Sequence, residues 1–67
     1  MVVTEAEALK VLDILETYRG KHQNTILYHI AKNMDCGTRK AGNLLHHMVR
    51  KDLARIEGFK VYPGGKQ

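Results

Sequence analysis

The chain has one cysteine and one proline in 67 residues, and no long apolar run. The lone Cys36 excludes an internal disulfide, deprives any metal site of its usual thiolate pair, and suits a reducing cytoplasm. No apolar run is long enough to span a bilayer. The opening "MVVTEAEALK" carries acidic residues where a secretory signal needs a basic start and a long apolar stretch. The expectation is a soluble cytoplasmic protein with no membrane partner. Repeats, low-complexity segments and interdomain linkers are also missing. The reading is one domain over residues 1–63, with 64–67 as a flexible tail.

Chemistry is equally sparse. A core this small buries few side chains per element, which argues against a catalytic cleft under a water-excluding lid. No Ser/His/Asp order and no Gly-rich phosphate loop occur, and Cys36 lacks a third group to orient a distant histidine. Gly64-Gly65 belongs to the tail. The chain reads as a non-enzyme. His22, His29, His46 and His47 are many for this length, but adjacent histidines on a helix point ~100° apart. No His-x3-His, Cys-x2-Cys or nearby carboxylate pair accompanies them. No metal, other cofactor or small-molecule ligand is expected.

Charge is present but uneven. The net charge is +4. Residues 1–37 hold four cations against five carboxylates, a balance of −1, and residues 38–67 hold seven against two, a balance of +5. Such asymmetry within one small domain points to a polyanionic partner on the C-terminal half, with a merely solvated basic surface as the alternative.

The apolar pattern has a helical period up to about residue 51. Thr4 with Glu7 is a capping-box signal for a first helix running to about Tyr18. At ~100° per residue Ala8, Val11, Leu12, Ile14, Leu15 and Tyr18 share one arc, with Lys10, Asp13, Glu16 and Thr17 opposite. Leu9 lies outside the arc, which leaves packing under Val2 and Val3 or a contact with another subunit. Gly20 is the stop. Asn24 or Thr25 caps a second helix whose stripe is Ile26, Leu27, Ile30, Ala31 and Met34, with His29 and Lys32 facing away and an end near Asp35. A third helix runs from about Thr38 to Lys51 on Ala41, Leu44, Leu45, Met48 and Val49. "LARIEGFKVYP" then reads as two extended segments, Leu53–Ile56 and Phe59–Tyr62, about a Glu57-Gly58 turn. Pro63 ends the second because it cannot donate to a ladder. At least two of Ile56, Phe59, Val61 and Tyr62 belong to the core.

The expected class is therefore mostly α (α+β), three helices followed by a two-stranded hairpin. Ile30-Ala31 lies midway in the second helix, with Met34 before the turn and Cys36 in it. Ala41 and Leu45-x-x-Met48 face back, and a leucine and a basic hairpin follow. In this pattern residues 25–62 resemble the winged helix-turn-helix family of DNA-binding regulators. Three departures stand out: Asp35 where glycine is common, Gly37-Thr38 where serine usually caps, and Gly42 inside the third helix at about 1 kcal/mol relative to alanine.

The resemblance implies that the third helix, about 38–51, enters a major groove while the basic wing meets the backbone. Arg39, Asn43, His46 and Arg50 fall within roughly 60° on the wheel, flanked by Lys40 and His47. Arginine can present two donors to the O6 and N7 of guanine, and asparagine can pair with adenine. Arg39, Lys40 and Asn43 are expected at base edges or nearby phosphates, with Thr38 at the helix start. His46, His47 and Arg50 lie farther along the groove, and Arg55 and Lys60 flank the wing tip. The expected partner is double-stranded DNA, bound by a small transcriptional regulator. Homodimerisation through the first helix would add specificity. The place of action would be the cytoplasm, at a nucleoid or in a host cell if the source is viral or a plasmid. The rival is a winged-helix protein-interaction module or inhibitor within a larger complex, since fold alone does not fix function.

Overall fold

The computed structural model describes residues 2–64. Three helices, α1 (Glu5–Thr17), α2 (Gln23–Asn33) and α3 (Thr38–Arg50), precede two strands, β1 (Ala54–Glu57) and β2 (Lys60–Pro63). The strands pair antiparallel. This is a winged helix-turn-helix arrangement of the mostly α, α+β class. The tail expected at 64–67 falls, from Gly65 on, outside the described residues. Among the described residues no helix is long and apolar enough to cross a membrane.

Each helix begins and ends for a local reason. At the start of α1 the Glu7 N–H donates to Thr4 Oγ1 at 3.2 Å, and the Thr4 N–H donates to Glu7 Oε1 at 3.1 Å. This is the reciprocal box that the sequence predicts. The helix closes at Tyr18, and Gly20 turns the chain at φ 78°. That positive φ is what favours glycine here, and a Cβ would reach van der Waals contact with the Tyr62 ring at 3.4 Å. The cap of α2 is His22, two or three residues before the expected Asn24 or Thr25: its Nδ1 accepts from the Asn24 N–H at 3.1 Å. That bond places the imidazole proton on Nε2.

The ends of α2 and α3 share one motif. The Cys36 N–H donates to the Ala31 carbonyl at 3.0 Å, and the Leu53 N–H donates to the Met48 carbonyl at 2.8 Å. Both are six-residue closures of the Schellman type. The left-handed residue in each is an aspartate, Asp35 (φ 51°) and Asp52 (φ 58°), where glycine would be free of steric cost. The departure at Asp35 seen in the sequence thus retains the turn geometry that glycine would provide.

Val11, Ile14 and Leu15 from α1, Ile26 and Ile30 from α2, Ala41, Leu44, Leu45 and Met48 from α3, and Ala54 and Val61 from the hairpin form one buried cluster. Each fully buried large side chain contributes about 1.5–3 kcal/mol by leaving water. Val3, Ala8, Leu12, Tyr18, Leu27, Ala31, Met34, Cys36 and Val49 pack around it, half-buried. The predicted stripes of the three helices are therefore the ones that point inward. Three details differ. Leu9 and Val2 are both exposed, so Leu9 is not covered by the leading valines. His29 does not turn away; its ring lies on that of Tyr18 with centroids 3.8 Å apart. The hairpin is displaced by one residue, and its turn is Gly58-Phe59 rather than Glu57-Gly58.

The reason for that displacement is long-range. The connector between α1 and α2 lies along β2 as a partial third strand, with His22 bridging Lys60. Gly20 N–H donates to the Val61 carbonyl at 2.8 Å, Val61 N–H to the Lys21 carbonyl at 3.0 Å, and Gln23 N–H to the Phe59 carbonyl at 2.7 Å. This pairing fixes Val61 inward and leaves Ile56 and Phe59 exposed. Of the four hairpin residues considered for the core, Val61 is buried and Tyr62 half-buried.

Candidate nucleic-acid interface

Four buried side chains, Ala41, Leu44, Leu45 and Met48, hold α3 against the rest of the molecule. The helical period therefore turns Arg39, Asn43, His46 and Arg50 outward together, and all four are exposed. Lys40 and Thr38 are exposed as well, and His47 is half-buried on the flank. The cations of this helix are neither scattered around it nor packed beneath another element.

The start of α3 has unusual chemistry. Gly37 occupies the cap and offers no side-chain acceptor to the first amides. The first turn holds no acidic residue, and Arg39 and Lys40 stand at the positive end of the helix dipole. Gly42 has no neighbour within 4 Å of where a Cβ would be, so no packing constraint within the chain requires glycine there. What remains is a cationic, uncapped, sterically open helix start.

Two of the expected contact residues are engaged within the protein. Lys40 Nζ lies 3.6 Å from Glu7 Oε2, which ties the first turn of α3 to that of α1. The Thr4 backbone amide, chiefly, and the neighbouring Lys40 hold the Glu7 carboxyl below its ordinary 4.5, against partial desolvation. Arg55 departs further from expectation. It is on β1, away from the tip, with its Nε paired to Glu57 and its guanidinium 4.6 Å above the Tyr62 ring. Strand parity explains this: Arg55, Glu57 and the cross-strand Tyr62 share the hairpin face opposite Ala54 and Val61. Lys60 is exposed at the first position of β2, opposite Glu57.

Two aromatics are exposed outside α3. Phe59 occupies the hairpin tip, where the displaced turn puts it. Tyr28 on α2 is 58% exposed, with Lys32 Nζ 5.9 Å from its ring centre. The signal for Tyr28 was its position outside the apolar arc of α2; Phe59 had none, because its place depends on the long-range pairing. Among the described residues no group of three or more His, Cys, Asp or Glu side chains could hold a metal ion. Comparison with models of protein families, with curated proteins and with solved structures finds no match to this chain.

Proposed function

We propose that the protein binds double-stranded DNA as a small regulator of transcription in the cytoplasm, a miniature of the winged helix-turn-helix regulators. Here α3 enters the major groove and the hairpin lies against the backbone. One observation carries the reading: Arg39, Asn43, His46 and Arg50 are exposed on one face of a helix whose other face is buried in the core. Arg39 and Asn43 supply the donors and acceptors that read guanine and adenine edges. Arg50 and Lys60 supply charge for phosphates, and the open start of α3 adds unpaired amides suited to an anion.

The test is a selection from random duplexes followed by a salt titration of the winner. The affinity should fall with salt at about 0.9 decades per decade for each phosphate neutralised. The Arg39→Ala/Lys40→Ala double variant should lose binding while remaining folded by circular dichroism. An unenriched pool, or a double variant that binds as tightly as the parent, overturns the reading. Leu9, 59% exposed on α1, supports the second reading, association through a protein contact, with another copy as the simplest partner. Sedimentation showing only monomer, with and without DNA, removes that contact.

A further inference from the structure

Phe59 is 65% exposed at the tip of the hairpin, yet it is held in place. Its carbonyl accepts from the Gln23 N–H at 2.7 Å, and its ring stacks on that of His22 with centroids 5.5 Å apart and planes 13° from parallel. His22 is fixed in turn by its bond to the Asn24 amide and by its bridge to Lys60. An aromatic side chain backed by a second ring has little conformational freedom left to lose when a third ring is added. We propose that this pair is a stacking platform for an unpaired nucleobase, flanked by Lys21 and Lys60 for the adjoining phosphates.

The surroundings favour this ligand over an apolar protein partner. Lys21, Asn24, Glu57, Gly58 and Lys60, close in sequence to His22 or Phe59, are all exposed. A protein contact of ordinary size needs an apolar patch of hundreds of Å². A stacked ring pair with a lysine next in sequence to each ring is matched to one base and its backbone. Glu57, the carboxylate nearest the tip, is neutralised by Arg55 and does not oppose an incoming phosphate. The stacked pair shares no residue with the polar face of α3, although Lys60 also belongs to the phosphate contacts proposed for the hairpin, so base stacking is tested apart from duplex binding.

The chain contains no tryptophan, so Phe59→Trp introduces a single indole at the platform, excited selectively over the three tyrosines. Its emission should be quenched saturably by a short oligothymidylate, and much less by an abasic strand of the same length. Phe59→Ala, at an exposed turn, should remain folded and lose single-strand affinity about fivefold or more. Lys60→Ala should weaken strand binding and flatten its salt dependence. Equal quenching by the abasic strand, or undiminished strand binding by Phe59→Ala, overturns the proposal. The single-strand arm reads out even if no duplex is bound, so the two readings fail separately.

Discussion

The first turns of α1 and α3 solve the same problem in opposite ways. The start of α1 has a side-chain acceptor, a reciprocal carboxylate and acidic residues at the positive end of the dipole. The start of α3 has glycine at the cap, a second glycine at position 42, and Arg39 and Lys40 where acids would be favourable. The first arrangement satisfies the helix from within. The second leaves amides and positive charge facing outward, which weakens the helix alone but suits an anionic ligand. Local stability and an open cationic surface are thus assigned to different helices of one small core, with Glu7 and Lys40 as a direct link between them.

Breaking the comparison at its functional end should have the largest effect. Arg39→Ala is expected to reduce duplex affinity ~10- to 100-fold, about 1–3 kcal/mol, whereas Lys40→Ala, whose ammonium is already shared with Glu7, should cost ~3-fold or less. Equal losses in filter binding would contradict the difference assigned to the two cations. At the stable end, Thr4→Ala should lower unfolding free energy by about 1 kcal/mol in urea denaturation. Gly42→Ala should raise it by up to about 1 kcal/mol, since the added methyl meets nothing within the chain. Gly37→Ser, which supplies the missing acceptor, should add a few tenths of a kcal/mol.

The link itself has a pH signature. The Glu7 carboxyl titrates below 4.5, so its folded form holds its proton more weakly than the unfolded chain does. The stability it confers is complete above that value and is lost as pH falls through the lower, folded one. Acid unfolding of Glu7→Gln should show a shallower loss below pH ~4.5 than the parent, with its deficit largest at neutral pH and shrinking as the parent's carboxylate is protonated. Parallel acid profiles would mean that Glu7 contributes through shape alone.

The helices were legible because each carries its own instructions. The Thr4/Glu7 box, the apolar arc of α1 and the Ala41–Met48 stripe of α3 are local patterns, and they determine which way Arg39 and Asn43 point. The His22 cap escaped notice because histidine is not among the favoured capping residues. The pairing of Arg55 with Glu57 was within reach, since alternate residues of a strand share a face. The Lys40–Glu7 pair and the bridge from His22 to Lys60 were not, because both join segments more than 30 residues apart with no local trace. The hairpin register went with them: "EGF" permits a turn at either pair, and the connector between α1 and α2 selects one.

That connector also ties together regions made at different times. The amides and carbonyls of Gly20, Lys21 and Gln23 find their partners at Phe59 and Val61, some forty residues later. Pairings this distant are slow to form, and synthesis releases the early helices first. A nascent chain arrested before Phe59 therefore holds the segment after α1 without its mates, and β2, emerging after all three helices, is the strand that closes this fold.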